Sequence, residues 1–158
     1  MTQATTAAVR KEIVVEASQK RAFTVFTENF GDFKPREHNL LRSPIARTVF
    51  EPQVGGHIVD VAEDGSECRW ARILAYEPHE RVVFSWDIGP DWQLVADPER
   101  TSEVEVRFVA ETPERTRVDL EHRHLDRHGA GWEAARAGVE SPDGWPLYLR
   151  RYGALLEG

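Results

Sequence analysis

The sequence predicts an α+β fold, a bent antiparallel sheet wrapped around a long C-terminal helix, in the order strand, helix, short helical turn, six strands, helix. Three observations predict it. Residues 102–110 and 116–124 each alternate an apolar with a polar series, so each reads as a strand with one wet face. Trp145, Tyr148, Leu149, Tyr152, Leu155 and Leu156 recur at steps that place them along one stripe of a helix. Ala22, Phe23, Phe26 and Phe30 do the same near the start of the chain.

The elements follow in order. Val9, Lys11, Ile13 and Val15 alternate with Arg10, Glu12 and Val14, a strand with one half-buried face. Ser18 is placed to cap the first helix and Gly31 to end it. Phe33 and Pro35 suggest a second helical turn that keeps aromatic side chains on the same side. Strands are expected over residues 45–51, 57–61, 67–76 and 81–87, before the two alternating ones. Gly55-Gly56, Asp64-Gly65-Ser66 and Glu77-Pro78-His79-Glu80 supply the turns. A loop from Gly89-Pro90 to Arg100 carries Trp92. Trp132, Ala135 and Val139 lie at helical spacing, and Ser141-Pro142-Asp143-Gly144 breaks that segment. Asp143 can cap the last helix, and Pro146 falls in its first turn, where a missing N–H does least harm.

The inner face of the Pro78 hairpin depends on its register. A two-residue turn at Pro78-His79 pairs Tyr76 with Arg81 and Ala71 with Trp86. Ala71, Ile73, Ala75, Val82, Phe84 and Trp86 then face inward, and Trp70, Arg72, Leu74 and Tyr76 outward. This is the preferred register; a bulge or a three-residue turn reverses it, because a one-residue slip flips every side chain.

At 158 residues the chain has the length of one domain, residues 1–158, with a frayed tail expected over residues 1–8. Apolar residues at 41% and charged residues at 30% fit a soluble protein with a moderate core. Lys and Arg number 20 against 27 Asp and Glu, a net charge of -7. That balance excludes the basic field required of a general nucleic-acid binder or an anionic-membrane binder. No apolar run approaches the ~20 residues of a membrane span. The first residues lack a signal-peptide core, so a cytoplasmic location is expected. The single cysteine, Cys68, excludes an internal disulfide and any multi-cysteine metal site.

The segment IVVEASQKRAFTVFT resembles the opening strand and helix of the START-like, or SRPBCC, superfamily, whose members have the helix-grip, Bet v 1-like fold. EPQVGGHIVDVAEDGSECRWARILAYEPHERVVFSW is similar to the middle of the branch named after the activator of the heat-shock chaperone's ATPase. There a Gly-Gly strand, an Asp-Gly turn, a Pro-containing hairpin and a strand ending in Trp follow in this order. TSEVEVRFVAETPERTRVDLEH and HGAGWEAARAGVESPDGWPLYLRRY resemble its last hairpin and C-terminal helix. The resemblance implies a helix-grip sheet with an internal cavity. It does not imply a reaction, because the superfamily includes lipid carriers, hormone receptors and polyketide cyclases.

Pockets between a curved sheet and its helix are where small ligands go. The expected cavity is lined by Phe26, Phe30, Phe33, Phe84, Trp86 and Phe108, with Trp145 and Tyr148 from the last helix. Trp92 is expected near its mouth. His38, His122 and His124 are the groups expected to orient a ligand. His122 and His124 lie two apart on a strand and so point the same way; with His38, His57 or Asp60 they are the only obvious donors for a metal, and none is expected. His128 is expected on the surface. Cys68 reads as a structural thiol, and no Ser/His/Asp order or nucleophile elbow occurs. The expected partner is a small, mostly hydrophobic ligand, with no cofactor, nucleic acid or membrane. An apolar patch of Trp70, Leu74 and Tyr76 on the outer sheet face makes a homodimer plausible. The branch name implies a chaperone interaction as an alternative, and a cyclase- or hydrolase-like enzyme acting on a carbonyl compound is the third reading.

Overall fold

The computed structural model describes residues 7–35, 38–95 and 97–157, so the tail expected over residues 1–8 lies outside the described residues except for Ala7 and Ala8. Seven strands form one antiparallel sheet: β1 (Val9–Val15), β2 (Ile45–Phe50), β3 (His57–Ala62), β4 (Glu67–Glu77), β5 (Arg81–Trp86), β6 (Ser102–Thr112) and β7 (Arg115–Arg123). Their order is β1-β7-β6-β5-β4-β3-β2, so β1 closes onto the last hairpin and β2 forms the far edge. Among the described residues four α-helices accompany them: α1 (Gln19–Glu28), α2 (Phe30–Phe33), α3 (Trp132–Glu140) and α4 (Trp145–Glu157). This is the expected helix-grip arrangement. Among the described residues no helix is long and apolar enough to cross a membrane.

Local chemistry sets the boundaries. Ser18 Oγ accepts the Arg21 N–H at 3.1 Å and starts α1. Gly31 does not end that helix: Asn29 is its C-cap, and Gly31 lies inside α2. Gly31 is needed for close approach instead, because a Cβ there would stand 2.7 Å from the Thr48 carbonyl oxygen. The sheet bends where an extra residue stands once in β2, twice in β4 and once in β6, as extra residues kink a strand and increase its twist.

The Pro78 hairpin departs from the expected register. Glu77 pairs with Arg81 and Tyr76 with Val82 around a three-residue turn. The Glu80 N–H bonds back to the Glu77 carbonyl, and His79 holds φ 71°, the left-handed third position of a type II turn after proline. A second irregularity, between Ile73 and Ala75, restores Ile73 to the inner face opposite Phe84. A third lies at Trp70: Ile58 pairs with Ala71 while Val59 pairs with Arg69, so Trp70 is an extra residue and its ring turns into the core. Trp70 and Tyr76 are therefore not on an outer patch. Tyr76 packs edge-on to Phe23, ring centroids 5.4 Å apart. Leu74 remains partly exposed, as expected.

The middle of the grip is filled. Phe26 lies within 5.3–5.8 Å of the rings of Phe30, Phe33, Phe108 and Tyr152. Tyr152 crosses from α4 to donate to the Ala22 carbonyl at 2.7 Å, which satisfies a hydroxyl that burial alone would penalise. Burying one such aromatic side chain stabilises the fold by roughly 1.5–3 kcal/mol.

Candidate functional site

Open space remains at one end of the grip. A cavity of about 330 Å³ lies between the start of α4, the loop after β5, the chain after α2, and α3. That volume is at the small end of ligand sites.

One wall is a continuous series of rings. Trp70 and Trp86 are 5.3 Å apart, Trp86 and Trp145 5.4 Å, and Trp145 and Tyr148 4.8 Å. The series continues to His38, 5.8 Å from Tyr148, and then to Trp92 at 6.3 Å. All six line the cavity. The facing wall is α3, which presents Ala134, Ala135, Gly138 and Val139. A Cβ on Gly138 would meet nothing within 4 Å, so the space beside it is empty. α3 has no buried residue, although Trp132 and Val139 pack partly against the core. Rings on one side and small side chains on the other leave a slot.

One group of polar side chains gathers around Lys34, at one end. Lys34 Nζ is 2.9 Å from Asp60 Oδ2 and donates to the His38 carbonyl at 2.8 Å. It also lies 5.6 Å from the centre of the Trp70 ring. Thr48 Oγ1 donates to the other Asp60 oxygen at 2.7 Å. His38 Nδ1 and the Tyr148 hydroxyl are 3.3 Å apart. Lys34, His38 and Tyr148 therefore bring N–H and O–H groups to a mostly apolar slot, which Ser141 and Asp143 also line.

His38, Trp86, Trp92, Trp145 and Tyr148 stand on the cavity wall. Phe26, Phe30, Phe33, Phe84 and Phe108 do not; they are the packed centre of the grip, where the rings of α1 and α2 fill the space together with Tyr152 of α4. His122 is wholly buried behind the wall. Its pKa is pushed down to about 3, first by burial and then by the neighbouring His128. His124 points away from the site and is exposed: β7 ends at Arg123, and a left-handed backbone at His124, φ 62°, gives the next inward position to Leu125. His128 is not on the surface. The turn that begins at Leu125 buries it, with Ser102 Oγ 2.8 Å from its Nε2. Burial lowers its pKa, and Asp87 opposes that shift.

Lys34, Trp70, Ile88 and the α3 residues were missed by sequence reasoning. Lys34 between Phe33 and Pro35, and Asp60 between Val59 and Val61, carried a usable signal: opposite charges set in apolar runs tend to be buried together. Among the described residues no three His, Cys, Asp or Glu side chains gather closely enough to hold a metal ion. Burial and the Asp60 carboxylate raise the Cys68 thiol pKa against the opposing pull of Lys34, so no reactive thiolate forms there.

The chain matches a family model, Activator of Hsp90 ATPase homolog 1-like protein, over residues 16–157. Among solved structures it is similar to an anthrahydroquino-gamma-pyrone synthase, Txn09, determined in complex with SUM. The identity is 39%, with a TM-score of 0.66, over 94% of this chain and 96% of that one. It is also similar to a self-sacrificing resistance protein, CalC from Micromonospora echinospora, at 29% identity and a TM-score of 0.68, over 95% of this chain and 94% of that one. Protein MLL2253 from Mesorhizobium loti, at 20% identity and a TM-score of 0.64 over 95% of this chain and 96% of that one, shares the fold. No curated protein matches the chain.

Proposed function

Because the chain belongs to the Activator of Hsp90 ATPase homolog 1-like family of the SRPBCC superfamily, on a fold that serves many chemistries, we propose from its cavity that it binds a planar, mostly apolar aromatic molecule with an oxygen at one edge. One observation carries this reading: the ring series from Trp70 to Trp92 faces the small side chains of α3 across a cavity of about 330 Å³. These rings stand edge-on or tilted to one another, at 37–72°, and so offer both faces and edges to a flat π-system; a bulky aliphatic ligand gains less from them. Lys34, His38 and Tyr148 set the edge at which the ligand's oxygen sits, since they supply the donors. The 39% identity to a protein named for an anthrahydroquino compound supports the same class.

Alizarin, a dihydroxyanthraquinone, is the probe for this reading, with lauric acid as the aliphatic comparison. Saturable quenching of tryptophan fluorescence by alizarin is expected, with a dissociation constant below about 10 μM. Tighter binding of lauric acid, or no saturation by alizarin, overturns it.

A second reading makes the cavity an active site for ring closure on a bound aryl ketone. The observation that favours it is the His38–Tyr148 pair within the slot. His38 would take a phenol proton from the substrate. The phenolate oxygen would then bond to an unsaturated carbon conjugated with the ketone, and the electron pair would pass to the ketone oxygen. Return of the proton to the adjacent carbon balances the step without a co-reactant. Turnover of a hydroxyaryl ynone that is lost in His38→Ala while alizarin still binds would support it; no turnover by the unaltered protein would remove it.

A further inference from the structure

His122 lies behind the cavity wall, with its ring centroid 5.3 Å from that of Trp86 and 5.8 Å from that of Trp145. Trp145 Nε1 donates to His122 Nδ1 at 3.0 Å. An indole nitrogen can only donate. Nδ1 must therefore be the bare nitrogen of a neutral imidazole, and its proton must sit on Nε2. That nitrogen is 2.7 Å from Ser102 Oγ, to which it donates. Having accepted this proton, Ser102 has its own hydroxyl proton for His128 Nε2, 2.8 Å away. His128 Nε2 is then bare, and its proton sits on Nδ1, which finds no hydrogen-bond partner among the described residues. One donor-only indole thus fixes the direction of every proton along Trp145, His122, Ser102 and His128.

We infer that His122 is a positioning residue for the ligand, acting through Trp145 without touching the ligand. This rests on the cavity's being a ligand site. Trp145 stands between Trp86 at 5.4 Å and Tyr148 at 4.8 Å, so tilting its ring breaks the wall on one side or the other. Its bond to Nδ1 holds the ring plane, because the N–H must point along one lone pair of a buried ring. The opposite tautomer would set two buried N–H groups against each other, which is costly. His122 is thereby a specificity element for flat ligands, although it does not line the slot.

Two measurements on the folded protein test this. In the unaltered protein, nitrogen NMR of the imidazole rings should show the proton of His122 on Nε2 and that of His128 on Nδ1. Either ring in the other neutral form overturns the chain of donors, and neither result needs a variant to fold. Next, His122→Asn keeps an acceptor near Trp145, whereas His122→Phe keeps the ring shape and loses the acceptor. Alizarin affinity is expected to fall at least about tenfold in His122→Phe but only about threefold in His122→Asn. The Trp145 indole N–H resonance, assigned through Trp145→Phe, should move upfield in the Phe variant alone. If His122 serves only to fill space, Phe binds at least as well as Asn, and the inference is wrong. Failure of alizarin to bind the unaltered protein would remove the ligand reading but leave the proton order measurable.

Discussion

Lys34 and Asp60 form an ion pair 2.9 Å long at the polar end of the cavity, with side-chain exposures of 3% and 4%. Two charges sealed this far from water stabilise the fold little as a pair, because their attraction is offset by lost hydration. Breaking the pair is another matter. Asp60→Asn removes the carboxylate paired with this ammonium, and about 3–5 kcal/mol of stability is expected to go. Urea unfolding at neutral pH checks this; a loss under 1 kcal/mol would mean that water reaches Lys34.

Acid should weaken the protein before its carboxylates titrate. His122 and His128 are both held below the ordinary histidine value of 6.5, mainly by burial. Unfolding releases them to water, so between their native and unfolded values the unfolded state binds more protons. Stability therefore rises with pH through this window and falls as pH drops below about 6.5. Urea midpoints should decline steadily from pH 7 to pH 5, where carboxylates contribute little. A flat profile over that interval would contradict the buried, neutral assignment of both rings.

The two alternating strands β6 and β7 were legible in the sequence because each has one wet and one dry face, and α4 because its stripe is long and aromatic. The hairpin at Pro78 was not. Its three-residue turn flips the strand, and the irregularities at Leu74 and Trp70 then re-aim it, yet an inserted bulge residue has no composition of its own. His124 was misplaced for a related reason: alternation predicts its face only while the strand lasts, and the backbone turns left-handed there. The cavity was legible only on one side: His38, Trp86, Trp92, Trp145 and Tyr148 were expected on its wall, but the facing wall is α3, whose small residues look unremarkable until the rings opposite them are known. Trp92, expected near the mouth because it sits on a loop, lines the cavity and is exposed.

Gly144 joins α3 to α4 at a point with no room for a side chain. A Cβ there would stand 2.2 Å from the Val139 carbonyl oxygen and 2.6 Å from that of Gly138, both backbone atoms. Gly144→Ala must push the end of α3 away from α4, at a cost of about 1–3 kcal/mol. Since α3 forms one cavity wall, alizarin affinity should fall with stability. An unchanged melting temperature would show that the two helices can separate freely.

α3 should be the part of the chain most affected by ligand. It is a short helix without a buried residue, too short to persist without support. A ligand in the slot would cover Ala135 and Val139 and supply the missing contact. Amide hydrogen exchange in α3 should slow on adding alizarin, while that of β6 and β7 stays the same. Protection spread evenly over the sheet would point to global stabilisation instead.

Trp92 offers the clearest separation of binding from stability. It is 59% exposed and holds a left-handed backbone at φ 62°, a combination that contributes little to folding and is costly for any side chain. Glycine adopts that backbone readily, and what it gains there is offset by its greater freedom in the unfolded chain. Trp92→Gly is therefore expected to change stability by less than about 1 kcal/mol. The same change removes the last ring of the cavity wall, and alizarin affinity should fall about three- to tenfold, the worth of one aromatic contact. Stability is read by urea unfolding and affinity by fluorescence from the remaining tryptophans. Equal alizarin affinity in both proteins would place the bound molecule away from the cavity mouth, whereas a large loss of stability would make Trp92 a packing residue.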